Sequence, residues 1–405
     1  EKHDVWVADA EGKRLGYKIF AHSGEGLSAM CAWLLATCRA APEQIAVGIE
    51  VPHGPVVETL LERGFLVYAI NPKQLDRFRD RFTMAGAKDD SRDAETMASA
   101  LRTDRHAFRK LALADPIVIE LREWSRMTED LTAERTRLAN RVREQLWRYY
   151  PQMLAVETDV AAPWLHDLWQ AVPTPAKAAR ARETTIARVL KDNRIRRIDA
   201  ARVLELLRAE PIRVAAGTTE AAVAHISALI ERLRLVESQL RHAYSQLDRL
   251  TGALAVPEAD SNGAETVPGQ VIEQRDAVIL NSLPGVGRIT LAALLAEAWD
   301  ALQRRDYSAL RALCGVAPVT KRSGKSRVVV RRHACHPRLG NAVYHWARVA
   351  SQCDPECKAK YKALREKGHS HGRALRSVAD RLLNVACSML RSRTVFDPAF
   401  SNPKT

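Results

Sequence analysis

Across residues 1–113 the apolar positions switch between the two-residue period of strands and the longer period of helices. His3 to Ala8 reads as a strand, Asp9-Ala10-Glu11-Gly12 as a turn, and Arg14 to Ala21 as a second strand with Leu15, Tyr17 and Ile19 on one face. Leu27 to Arg39 has helical spacing. Gln44 to Ile49 is a short, nearly all-apolar strand that ends at Glu50. A helix from Pro55 to Arg63 and a buried strand from Phe65 to Ile70 follow, and Pro72 is a good first-turn residue for the next helix. A hairpin followed by helix-separated buried strands predicts one mixed α/β sheet.

The pattern from 114 to 254 is helical. Ile117, Leu121, Trp124, Leu131, Leu138, Val142 and Tyr149 recur at 4,3 spacing, interrupted by Thr128, Arg135 and Gln145. A cleaner run follows: Ala222, Ile226, Leu229, Leu233, Val236, Leu240, Ala243, Leu247 and Leu250, with Gly252 as its expected stop. This period predicts a coiled-coil seam, within one chain or between chains, and equally suits an ordinary bundle core. Between the two lies a basic helical stretch, Lys177 to Arg197, read either as a solvated face or as a nucleic-acid contact.

Residues 255–270 (AVPEADSNGAETVPGQ) are aperiodic and read as a linker. The segment 271–393 reads as a helical domain with one strand at Ser326 to Val330, and 394–405 as a tail. The fold class expected is therefore α/β plus all-α.

Charge narrows the partners. The 405 residues carry 62 Lys+Arg against 48 Asp+Glu, a net +14, which favours a polyanion unless the chain is merely a basic protein. At 27% charged and 46% hydrophobic the composition is globular, and no apolar run is long enough to span a membrane. The opening Glu1-Lys2-His3-Asp4 has no secretory pattern, and seven cysteines suggest a reducing cytoplasmic setting.

Three constellations carry chemistry. Glu50 ends a buried strand, where residues of α/β sheets reach the functional crevice. Asp90 and Asp93, in Lys88-Asp89-Asp90-Ser91-Arg92-Asp93-Ala94, lie one turn apart at a helix start. Such carboxylates suit Mg2+ and in-line phosphoryl displacement, or simply favour the helix dipole. Leu283-Pro284-Gly285-Val286-Gly287 precedes a helix from Ile289 to Trp299, the pattern of a helix-hairpin-helix contact with the DNA backbone or of an ordinary interhelical turn. Residues 321–332 hold six cations (Lys321, Arg322, Lys325, Arg327, Arg331 and Arg332) and no acid. Among them Ser323 is placed either as a nucleophile whose developing charge the cations stabilise, or as a bystander in a DNA-contact loop. Gly324-Lys325-Ser326 is not a P-loop, because Val319 stands where its first glycine belongs. His333, Cys335, His336, Cys353 and Cys357 have irregular spacings for zinc.

In order, Gly48-Ile49-Glu50, Lys88-x-Asp90-x-x-Asp93-Ala94, the helical run, Leu283 to Gly287, Cys314-Gly315-Val316-Ala317-Pro318 and Ser323-Gly324 span nearly the whole chain. Together they closely resemble bacterial insertion-sequence transposases that join an N-terminal RuvC-like DEDD domain to a C-terminal serine-bearing domain. These are the bridge-RNA-guided recombinases, with pilin-gene DNA invertases as relatives. The resemblance implies an RNase H-like first domain in which Glu50, Asp90 and Asp93 match three of four acids and hold Mg2+. It implies that Ser323 matches the nucleophile. It also implies a structured guide (bridge) RNA, donor and target double-stranded DNA, and a homo-oligomer, dimer or tetramer, through the coiled coil. By the family register the remaining acid falls before Glu1, and Asp4 does not take its place. The expected activity is RNA-guided strand cleavage and rejoining. A hydrolytic RuvC-like resolvase, and a nucleic-acid-binding protein without activity, remain the alternatives.

Overall fold

A computed structural model describes residues 2–81, 89–112, 115–255, 275–324 and 326–397. The chain is mostly helical, 66% helix, with a small amount of sheet at the N-terminal end. It divides into two compact units, Glu1–Asp115 and Pro116–Thr405.

The first unit opens with β1 (Lys2–Ala8) and β2 (Arg14–Ala21), an antiparallel hairpin closed by Asp9, whose carboxylate accepts from the Lys13 amide at 2.7 Å. Then come α1 (Gly24–Cys38), β3 (Ala46–Ile49), α2 (Pro55–Glu62), β4 (Leu66–Ala69), α3 (Pro72–Arg79), α4 (Asp90–Asp104) and β5 (Arg109–Lys110). The β3 and β4 strands pair in parallel across α2, and β5 joins β4 antiparallel. The expected mixed sheet is this three-stranded β3–β4–β5 sheet, and the β1–β2 hairpin stands apart from it. Among the described residues the hairpin and the three-stranded sheet share no strand pairing: β3 is the edge of its sheet, bonded to β4 on one side only. They still share a core: Val7, Phe20, Leu34, Leu60 and Val67 are buried together. The β3 strand starts late because Pro42 opens a short 3-10 turn and the Gln44 side chain accepts from the Ala41 amide.

The second unit is built on two long helices, α5 (Pro116–Tyr149) and α11 (Thr218–Ala253). Five shorter helices separate them: α6 (Gln152–Val156), α7 (Pro163–Ala171), α8 (Pro175–Arg180), α9 (Glu183–Asp192) and α10 (Ala200–Leu207). The long pair is antiparallel within the chain, as its cross-helix bonds show: Glu120 with Arg249, Glu134 with Arg232, Arg135 with Glu237 and Arg141 with His225. Every apolar seam position expected on α11 is buried, Ala222 to Ala243 among α5 and the five shorter helices, and Leu247 and Leu250 in the core that the later helices share with α5. The heptad seam is thus occupied within the chain. The polar interruptions are accommodated locally: Thr128 donates to the Trp124 carbonyl, and Arg135 pairs with Glu237. Gly252 does not stop α11, which continues to Ala253 and is capped at Leu254. The basic stretch is two helices, α8 and α9, because Ala181 and Arg182 between them are extended.

The remainder comprises α12 (Asp276–Ser282), α13 (Arg288–Glu297), α14 (Trp299–Gln303), α15 (Tyr307–Leu313), β6 (Val319–Ser323), β7 (Ser326–Val330), α16 (Pro337–Cys353), α17 (Pro355–Glu366) and α18 (His371–Ser392). They pack around the fully buried Trp346. Helix α5 is fastened to this cluster by Arg122, which donates to the Ala296 carbonyl at 2.9 Å, and by Arg126, 3.2 Å from Glu297. A guanidinium on the last carbonyls of α13 also complements its dipole. The expected linker lies outside the described residues except for Ala255, and the tail is described to Asp397. Among the described residues no helix is long and apolar enough to cross a membrane.

Candidate functional site

In the first unit the chemistry-bearing acids stand at element ends. Glu50 follows β3 and is exposed, and Asp90, also exposed, is the first residue of α4. Asp93 points to the side, where Arg79 at the end of α3 grips it through Nε and Nη2 at 2.8 and 2.7 Å. Both side chains of that pair are only 13–14% exposed, so it is a part-buried pair rather than a screened surface one. Burial works against the Arg79 charge, yet the bonds to Asp93 and Asp76 outweigh it and raise the guanidinium above its usual value. Among the described residues no group of three or more His, Cys, Asp or Glu is placed to hold a metal. The structure thus does not gather Glu50, Asp90 and Asp93 into a ready donor set. Lys88 lies outside the described residues.

It does gather a set that strand and helix patterns do not reveal. The Tyr17 hydroxyl on β2 donates to Asp4 on β1, beside Asp89 and Ser91 at the start of α4. The bond to Asp4 raises the phenol first, then burial and the charges of Asp4 and Asp89, while Ser91 opposes them. Asp4 is thereby committed to Tyr17 and to Lys2, 3.8 Å away.

In the second unit Ser323 ends β6 and pairs with Ser326 at the tip of the hairpin. Gly324 has φ +54°, the left-handed conformation that hairpin turns favour. Lys325 itself lies outside the described residues. A strand precedes the glycine but another strand, not a helix, follows it, which is not P-loop geometry. The hairpin is bare on both faces: Lys321, Arg322, Ser323, Ser326 and Arg327 are exposed, and Val328 and Val329 are 52% and 53% exposed. Its base is tied down. The His336 amide donates to Leu313 at 2.8 Å, Arg332 reaches the Ala317 carbonyl at 3.3 Å, and a side chain on Gly315 would strike Cys335 at 2.9 Å. Arg331 emerges exposed just after β7. An isolated two-stranded ribbon is marginal in water, so an exposed, acid-free one needs outside contacts to order it.

The Leu283 to Gly287 turn joins α12 to α13 as a helix-hairpin-helix requires, but its two glycines serve different ends. Gly285 has φ +79°, and a Cβ there would lie 2.7 Å from the Ala350 amide nitrogen of α16. Trp346 anchors the same turn by donating to the Pro284 carbonyl at 2.9 Å. Gly285 is consumed by packing. Gly287, at the start of α13, has open space where a Cβ would go. It borders a groove of about 450 Å³ lined by Asp248, Asn281 and Arg288 among others. Arg288 is held there by Asp248 at 3.0 Å and stacked over Tyr244.

The chain has counterparts among known proteins. Residues 1–151 match the transposase family model of the DEDD type named for IS110, and residues 277–362 match the family described as Transposase IS116/IS110/IS902. These matches place the protein among the transposases. It belongs to the IS110/IS116 family of insertion-sequence transposases: it is 31% identical over 403 residues to the mini-circle putative transposase for IS117 of Streptomyces coelicolor, covering 98% of this chain and 92% of that one. The uncharacterized 43.6 kDa protein of insertion element IS110, also from Streptomyces coelicolor, is 30% identical over 77% of this chain and 72% of its own length. A putative transposase, y4uE, of Sinorhizobium fredii is 67% identical over 201 residues, 49% of this chain and 56% of that protein. The second family match stops at residue 362, short of α18.

Proposed function

We propose that this transposase is an RNA-guided DNA recombinase that cuts and rejoins strands through Ser323. The observation that carries the reading is the placement of Ser323 at the tip of an exposed ribbon with Lys321, Arg322 and Arg327 and no acid. Ser323 Oγ attacks the scissile phosphorus, its proton leaves to solvent or a base, and one ester oxygen departs as a free strand hydroxyl. The phosphoserine ester keeps the bond energy, so a hydroxyl of another strand reverses the step and reseals DNA without ATP. The surrounding cations stabilise charge on the phosphate as it develops.

The first unit is read as RNase H-like, supported by its hairpin, its parallel β3–β4 pair and the DEDD-type family match over 1–151. The carboxylates of Glu50, Asp90 and Asp93 are the hard oxygen donors that Mg2+ prefers. Their present arrangement, with Asp93 bound by Arg79, does not fit a metal, and the ribbon alone supplies the chemistry. Donor and target duplexes are gripped by backbone contacts from Gly287, Lys321, Arg322, Lys325, Arg327, Arg331 and Arg332, while a bridge RNA supplies sequence by pairing, which suits a protein with so many cations. Assembly into a dimer or tetramer through the long helix pair would use its outer face, where Trp147 and Leu235 are 69% and 59% exposed.

The test is to trap the protein–DNA adduct under denaturing conditions with copurified RNA retained. Wild type is expected to give the adduct and Ser323→Ala none. Free, religation-incompetent ends without adduct would instead identify a hydrolytic resolvase.

A further inference from the structure

Helix α18 carries four arginines, Arg373, Arg376, Arg381 and Arg391, and their partners divide them. Arg381 pairs with Glu356, and Arg391 donates to the Arg305 carbonyl at 2.9 Å. Arg373 and Arg376 make no ion pair and no side-chain hydrogen bond among the described residues, and neither does Arg331. The Arg376 guanidinium folds back over the helix start, with Nη1 3.5 Å from the position a Gly372 side chain would take. Partial burial, then the like charges of Arg331 and Arg373, hold it below its usual value. Three guanidiniums therefore share one locality with no acid among the groups that act on Arg376. Two of them sit in the early turns of a helix whose first turn lacks any acid, where the backbone dipole adds further positive potential. Such an arrangement costs free energy in the isolated chain and is offset by an anion.

The platform beneath it is rigid. His371 Nδ1 lies 2.7 Å from the Tyr361 hydroxyl of α17, and Nε2 lies 3.3 Å from the Tyr344 hydroxyl of α16. A neutral imidazole donates from one nitrogen and accepts at the other, so one tyrosine accepts and the other donates, and three helices are tied where α18 begins.

We propose that Arg331, Arg373 and Arg376 form a clamp for the backbone phosphates of the DNA duplex that Ser323 acts on. The clamp rests on the reading of Ser323 as the strand-cutting residue, and it lies at a defined remove from it. Ser326 faces Ser323, and five residues of extended chain from Ser326 to Arg331 cover about 16 Å. Backbone charges on one DNA strand are spaced at about 3.4 Å along the axis, so a duplex laid along the ribbon meets the clamp about five nucleotides from the cut. Guanidinium groups suit this role because their planar forks bind phosphate oxygens in pairs.

The test measures binding of the full chain to a 24-base-pair DNA duplex by fluorescence anisotropy over a range of salt concentrations. Arg373→Ala/Arg376→Ala is expected to bind about tenfold more weakly at moderate salt, with the log–log salt slope reduced by about one to two. Arg381→Ala/Arg391→Ala removes the same charge from the same helix and is expected to keep the wild-type slope. Arg373→Lys/Arg376→Lys, which retains the charge but not the paired contacts, is expected to restore the salt slope and part of the affinity, and guards against misfolding as the cause. A wild-type slope in the alanine pair, or a loss no larger than in the Arg381/Arg391 control, overturns the clamp. A loss seen only with an RNA duplex of equal length also overturns it, because the ligand is then not the DNA. The underlying reading is scored separately by the covalent adduct: Ser323→Ala removes the adduct and leaves duplex binding intact, whatever the arginines do.

Discussion

At the scale of single residues, what a side chain is bound to decides its role more than its type. The sequence marks Asp90 and Asp93 as a pair one turn apart, and that spacing is what α4 presents. It does not reveal that Arg79, fourteen positions earlier, takes one of them, because a contact between residues of two different helices leaves no periodic trace. Ser323 was legible as a serine among cations, whereas Arg373 and Arg376 look like ordinary helix-surface arginines until their lack of partners is seen. The Arg79–Asp93 pair allows two roles of Asp93 to be separated. Arg79→Ala and Asp93→Asn each break one part-buried ion pair, and each is expected to cost about 1–3 kcal/mol in urea unfolding. If Asp93 also takes part in strand cleavage, only Asp93→Asn loses the protein–DNA adduct. Equal adduct yields from the two variants would confine Asp93 to holding α3 against α4.

At the scale of elements, the helices and the apolar strands of the first unit were readable because burial imposes a period. The β6 strand was missed because it has none. Val319-Thr320-Lys321-Arg322-Ser323 is polar on both faces, and only its register with the apolar β7 makes it a strand. The pattern Leu283 to Gly287 does not distinguish its two glycines, and the structure does. Gly285→Ala forces a side chain into left-handed backbone and against the α16 main chain, and is expected to destabilise the protein by about 2–4 kcal/mol in thermal or urea unfolding. Gly287→Ala meets open space, so its stability cost is expected to stay below about 1 kcal/mol. If the turn grips DNA, the same substitution weakens duplex affinity severalfold, since the new methyl stands over the start of α13. Unchanged affinity in Gly287→Ala would leave the turn a purely structural joint.

At the scale of the whole chain, a heptad pattern names a seam but not its partner, and both long helices could have waited for a second subunit. The chain closes on itself instead. Between α5 and α11 the five shorter helices return the polypeptide, and α13 and α16 bury the lower seam around Leu247 and Leu250. The ribbon is then held out from this core by a knot at its base, where Cys314 and Gly315 meet Cys335. Stability of the core should therefore be felt at the ribbon, and one buried thiol reports on it. Burial, with the neighbouring Cys335 and Cys387 thiols, pushes Cys314 up to about 12. In the unfolded chain the same thiol ionises near pH 8.5. Between those values the unfolded state binds fewer protons than the folded one, so stability falls as pH rises, by roughly 1.4 kcal/mol per unit for a single such group. Urea midpoints taken from pH 8 to pH 10 should decline steadily in the wild type, with Cys31, Cys357 and Cys387 shifted in the same direction. Cys314→Ala is expected to start lower and decline less steeply, by about one thiol's worth. Parallel declines in the two proteins would mean that Cys314 is reached by solvent and that the base of the ribbon opens before the core does.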